Sequence, residues 1–156
     1  MNKRFLFVLL GKNVNHSFSP LMFNFYFRKL NLNFHYFSLS ISKNSLPKFL
    51  KQVRNSSILG LNVTIPYKEI IIPYLDELDP VAEKIHAVNV IHNRGGKLKG
   101  YNTDYIGFNK ALKKYKSLDL KFAVILGAGG AARSVIYSLY TLNSVSYTHL
   151  TLPTKA

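Results

Sequence analysis

The chain's 156 residues, 47% hydrophobic and 13% aromatic, suffice for one ordinary domain, or for one domain plus part of a second. Cysteine is absent, which excludes a disulfide framework and a Cys-based metal site and fits a reducing cytoplasm. The formal charge of +14 reflects 21 Lys and Arg against 7 Asp and Glu, but the basic residues are scattered in short pairs such as Lys113-Lys114, so no nucleic-acid partner is expected.

Met1-Asn2-Lys3-Arg4 followed by Phe5 to Leu10 has the outline of a signal peptide. The apolar run is short, however, and Gly11-Lys12-Asn13 ends it without a small-residue cleavage site, so a first buried strand is predicted. No stretch approaches the roughly 18 apolar residues of a membrane span, and no membrane partner is expected. Pro20 suits the first turn of a helix reaching about Leu30, with Leu21, Phe25 and Leu30 as its apolar side. Phe34 to Ile41 alternates as a second strand. Ser42 to Arg54 reads as a helix with Asn44 or Ser45 as its cap.

Leu59 to Ile65 is the third predicted strand, stopped by Pro66, and two helices follow at Tyr67 to Leu75 and Pro80 to Ile85. Ala87 to His92 and Lys97 to Tyr101 form a predicted hairpin around Asn93-Arg94-Gly95-Gly96, whose glycines supply positive φ. Thr103 is the expected cap of a helix reaching about Tyr115. Polar Lys116 to Asp119 reads as a junction. Lys121 to Leu126 is then a short buried strand, followed by a glycine turn and a helix from Gly130 to Leu142. Strands alternating with helices predict an α/β fold with a largely parallel sheet. After Asn143 the chain turns Thr/Ser-rich without a clear period. The second unit is therefore expected to lack its next strand, with residues 144–156 an aberrant or disordered tail.

Five motifs carry chemistry. Gly127-Ala128-Gly129-Gly130-Ala131-Ala132 fits G-x-G-x-x-G/A between a strand and a helix, where free N–H groups and the helix dipole suit a pyrophosphate. A glycine turn without a ligand is the plain alternative. His16-Ser17-Phe18-Ser19-Pro20 sets two hydroxyls before a helix, suited to a carboxylate or to simple capping by Ser19. Gly60-Leu61-Asn62-Val63-Thr64-Ile65-Pro66-Tyr67-Lys68 delivers Asn62, Thr64 and Lys68 to the end of a strand, although a lone lysine is commonly a solvated one. Ala87-Val88-Asn89-Val90 puts an amide in an apolar strand. Gly100-Tyr101-Asn102-Thr103-Asp104 brings Asp104 into the first turn of a helix, where dipole complementation alone would also favour it.

In order and spacing these motifs resemble the shikimate dehydrogenase family, from about Phe5 to Leu142. The resemblance implies a substrate-binding domain over 1–102 and the start of a Rossmann-type dinucleotide-binding domain over 103–143. It implies NADP-dependent interconversion of shikimate and 3-dehydroshikimate, on the route to chorismate and the aromatic amino acids, without a metal. Ser17 and Ser19 would bind the substrate carboxylate. Thr64, Asn89 and Asp104 would bind the ring substituents, and Lys68 and Asp104 would form the catalytic pair. Gly127, Ala128, Gly129, Gly130 and Ala131 would hold the cofactor.

As hydride leaves a secondary alcohol a proton must leave too. Lys68 can take it if burial and the nicotinamide cation lower its proton affinity, with Asp104 orienting it. Two departures stand out. A histidine usual four residues after the second serine is Phe23, and the family's Asn-Arg-Ser/Thr clamp for the 2′-phosphate is missing, so NAD remains open beside NADP. The later Tyr and Gln of the family's pocket are missing as well, so the chain as given is expected to be inactive or nearly so. Quinate/shikimate dehydrogenase and a non-catalytic shikimate-binding module are alternatives. A methylenetetrahydrofolate dehydrogenase shares the layout, but Asn62 to Lys68 speaks against it. A cytoplasmic location is expected, and a homodimer stays open for the full-length protein.

Overall fold

A computed structural model describes residues 5–115 and 122–142, and the backbone of 146–150. The expected junction at Lys116 to Asp119 and the remainder of the tail lie outside the described residues.

The elements run β1 (Phe5–Gly11), α1 (Ser19–Lys29), β2 (Phe34–Ser40), α2 (Leu46–Arg54), β3 (Ile58–Val63), α3 (Tyr67–Ile70), β4 (Glu77–Leu78), α4 (Pro80–Ile85), β5 (Val90–Arg94), β6 (Lys97–Tyr101), α5 (Asp104–Leu112), β7 (Phe122–Leu126), α6 (Gly130–Thr141) and β8 (Ser146–Leu150). The first six strands form one sheet in the order β2-β1-β3-β5-β6-β4. β1 pairs in parallel with both β2 and β3, and β4 pairs in parallel with β6. Only β5 runs against its neighbours. The predicted, largely parallel α/β architecture is what forms.

β1 is apolar on both faces because both are covered, as a central parallel strand requires. Val8 and Leu10 join Leu61, Val63, Ile91 and Leu98 beneath Leu46, Leu50 and Val53 of α2. Leu9, on the opposite face, packs with Tyr36, Phe23 and Phe27. That second contact corrects the predicted face of α1. Leu21, Phe25 and Leu30 are 67%, 53% and 64% exposed, while Phe23 and Phe27 meet the sheet. The helix is apolar nearly all round, so its periodicity did not decide which side would be buried.

Other expectations change locally. Ser42, rather than Asn44 or Ser45, caps the second helical segment. Its side chain accepts the Ser45 N–H ahead of a 3-10 turn at Lys43–Ser45, and Pro47 then opens α2. The predicted Tyr67 to Leu75 helix breaks into α3 and a 3-10 turn at Ile72–Tyr74, where Pro73 cannot donate. β4 was not foreseen. β3 stops at Val63, and the hairpin strand starts at Val90 instead of Ala87.

The largest correction lies near the C-terminus. Ser146–Leu150 pairs in parallel with β7 along its length, from Phe122↔Ser146 to Leu126↔Leu150, so the strand expected to be missing is present and closes a βαβ unit. Among the described residues no helix is long and apolar enough to cross a membrane.

Candidate active site

Topology brings the upstream motifs to one edge of the six-stranded sheet. β1 and β3 run in parallel and end at Gly11 and Val63, β6 ends on the same side at Tyr101, and the antiparallel β5 begins there at Val90. Every upstream motif lies at this edge, in the loops or the adjoining ends of strands and helices, the usual ligand side of an open α/β sheet.

The loop after β1 carries the two serines. Ser17 Oγ accepts the Ser19 N–H at 3.2 Å and donates to Ser19 Oγ at 3.2 Å. Simple capping by Ser19 is not what forms: Phe18 holds the cap position of α1, and no side chain caps it. The loop is fastened back by the Ser17 N–H to Val14 carbonyl bond, 3.1 Å. Gly11 permits this closeness, since a Cβ there would lie 2.5 Å from Val14 Cγ1 and 2.8 Å from the Thr64 methyl. Thr64 thus meets the first loop, held by its N–H to the Leu10 carbonyl at 2.9 Å.

Lys68 and Asp104 form an ion pair, Nζ to Oδ2 at 2.5 Å, with side chains 18% and 31% exposed. The pair is sheltered yet reachable. Asn89 Nδ2 donates to the other carboxylate oxygen, Asp104 Oδ1, at 2.7 Å and to Thr103 Oγ1 at 3.0 Å. Asn89 Oδ1 accepts the Thr103 N–H at 2.8 Å. Asn89 therefore sits in the bend before β5 instead of within a strand, where its amide can grip the start of α5. Thr103 is correspondingly not a side-chain cap; the Asp104 N–H is taken by Asn102 Oδ1 at 3.0 Å.

Sequence reasoning overlooked three partners. Asn102 is 3% exposed and bonded throughout. Tyr36 donates its hydroxyl to Asn62 Oδ1 at 2.8 Å, and burial pushes the pKa of that hydroxyl up to about 12, so it stays a donor at neutral pH. Ser134 of α6 bonds Asn102 at 3.0 Å. For Ser134 the available signal was the run of small residues Gly130, Ser134 and Ser138, four apart on one buried face of α6. Phe23, at the position where the resemblance implies a histidine, stacks on Tyr36 with ring centroids 4.5 Å apart.

The glycine turn lies between β7 and α6. Gly127 has φ +116, a conformation L side chains rarely adopt, and a Cβ at Gly127 or Gly129 would meet nothing within 4 Å. Gly129 is the N-cap of α6, no acidic residue occupies its first turn, and the helix N–H groups suit an anion. These residues fit a pyrophosphate. Gly130 is different, because it is buried against Ala87 and the Lys68 stem. A Cβ there would lie 2.9 Å from Ala87 Cβ and 3.0 Å from Lys68 Cβ.

Residues 9–91 match the family model of the shikimate dehydrogenase substrate binding domain. The chain is 50% identical over 131 residues to the shikimate dehydrogenase (NADP(+)) of Syntrophomonas wolfei, covering 84% of this chain and 45% of that protein. The solved shikimate dehydrogenase of Aquifex aeolicus superimposes with a TM-score of 0.89 at 36% identity, over 99% of this chain and 58% of that one. That of Thermus thermophilus, in complex with NADP(H) and shikimate, gives 0.83 at 38% identity, over 94% and 56%. The chain spans about half the length of the curated relatives it matches.

Proposed function

We propose, since this chain belongs to the shikimate dehydrogenase family, that it supplies the substrate-binding and proton-transferring side of an enzyme interconverting shikimate and 3-dehydroshikimate with NADP. The Lys68–Asp104 ion pair at the ligand edge of the sheet carries this reading. Residues 1–102 hold the substrate, and 103–143 begin the dinucleotide-binding domain. The relatives named NADP(+)-dependent and the Thermus complex with NADP(H) and shikimate support this assignment.

Ser17 and Ser19 bind the substrate carboxylate through their hydroxyls. Thr64, Asn89 and Asp104 hold the ring oxygens. NADP, when bound along Gly127 to Ala131, takes up or returns the hydride. Lys68 handles the proton: its ammonium donates to the carbonyl oxygen as hydride arrives, and its amine recovers that proton from the hydroxyl as hydride leaves. Asp104 holds Lys68 Nζ with one oxygen while Asn89 fixes the other, so the reacting group is oriented before substrate enters. Shikimate and the dinucleotide are the proposed small-molecule partners, and a cytoplasmic location belongs to the same proposal.

The test is NADP+ reduction by the full-length protein that carries this segment, with shikimate and quinate offered in turn. Turnover of shikimate is expected. Turnover of neither acid would overturn the assignment.

A further inference from the structure

We propose that Asn102 is a positioning residue for the Lys68–Asp104 pair, and that its bond to Ser134 ties the pair's geometry to the helix behind the glycine turn. This rests on the reading of Lys68 and Asp104 as the reacting pair.

The contacts form a closed ring. Val88 N–H donates to the Lys68 carbonyl at 2.7 Å, which fixes the backbone of the lysine to the loop before β5. From the adjoining residue of that loop, the Ala87 carbonyl accepts Asn102 Nδ2 at 2.9 Å. Asn102 Oδ1 in turn accepts the Asp104 N–H at 3.0 Å. One buried amide therefore references both members of the ion pair. Its second Nδ2 hydrogen goes to Ser134 Oγ at 3.0 Å, and Ser134 Oγ donates to the Gly130 carbonyl at 2.9 Å. Gly130 closes the ring by lying directly against the Lys68 stem.

The chemistry of the members explains the choice of residues. An asparagine offers two donors and an acceptor in one plane, and all are used here, so the side chain has no alternative orientation. Ser134 is 1% exposed, and its hydroxyl both receives from Asn102 and donates along its own helix. The Arg133–Glu69 ion pair at 3.1 Å fastens the same turn of α6 to α3, which carries Lys68. A movement of the first turn of α6 would therefore reach Lys68 through its stem and Asp104 through Asn102.

The test needs no ligand. Lys68 of the whole chain is acetylated with a limiting amine-reactive ester, and its rate is read by peptide mass spectrometry, with Lys99 as internal reference. Asp104→Asn releases the lysine and sets the upper rate. Ser134→Ala and Asn102→Ala are each expected to raise the Lys68 rate about fivefold, within the range for residues sharing one network. In the Asp104→Asn background neither is expected to raise it further. Rates unchanged from the parent, or raised equally in both backgrounds, would overturn the proposal. Should Asn102→Ala fail to fold, Ser134→Ala carries the test alone, since it removes one hydroxyl and leaves a good helix former. Failure here would leave the shikimate assignment intact, because no substrate is involved.

Discussion

On the proposed function, Lys68 is the residue on which the chemistry turns. Replacing it with Ala in the full-length protein should lower kcat by about 100-fold or more while KM changes little, the usual scale for loss of a general acid/base. Steady-state kinetics with shikimate check this; a kcat within a factor of about three of the parent would remove Lys68 from that role. Ser17→Ala should act the other way. Losing one hydrogen bond to a charged group, about 1.5–3 kcal/mol, should weaken shikimate binding by roughly ten- to a hundredfold, a change readable in KM. The motifs that carry both serines, Thr64, Lys68, Asn89 and Asp104 stood out in the sequence, their proposed roles came from the resemblance, and the packed chain brings Lys68, Asn89 and Asp104 together. Asn102 did not stand out, although it lies inside a quoted motif. Its importance comes from bonds to Ala87 and Ser134, and Ser134 is 32 residues away in sequence.

Among the elements, the clearest errors of sequence reading had physical causes. α1 carries Leu21, Met22, Phe23, Phe25, Tyr26 and Phe27, so no polar face marked its outside. The strand Ser146–Leu150 was missed because its Thr and Ser residues gave no apolar run, and its pairing partner β7 lies across a helix. Two predictions belong at this scale. Gly130→Ala would drive a methyl into Ala87 and the Lys68 stem. Stability should fall by about 1–3 kcal/mol, as overpacking usually costs, and the loss is measurable by urea unfolding. The second concerns Asp76, which links the end of α2 to β6. The Arg54 guanidinium beside it and the Leu98 N–H hold its carboxyl below the ordinary value of 3.8. A lowered folded-state value means that the contribution is complete above the unfolded value and disappears as pH falls through the folded one. Acid titration of stability should therefore lose part of its slope below about pH 4 in Asp76→Asn. An identical slope in both proteins would count against the pairing. The group is partly solvated, so the effect is expected to be small.

For the whole molecule, what was legible was the alternation of strands with helices and the strand end that bears Asn62, Thr64 and Lys68. Parallel strands place their C-terminal loops together whatever lies between them, which is why the segments bearing Ser17, Thr64 and Asp104 gather at one edge, while their proposed sharing of one site came from the resemblance. The position of β4, the face of α1 and the ring through α6 required the packed chain. The central claim is that this sheet edge is a shikimate site. Calorimetric titration of shikimate into the chain, beside its Asn89→Ala variant, tests it most directly. Saturable heat in the parent that is lost or weakened at least about tenfold in the variant is the result the site predicts. No saturable heat at millimolar shikimate, or equal binding by both proteins, would contradict it.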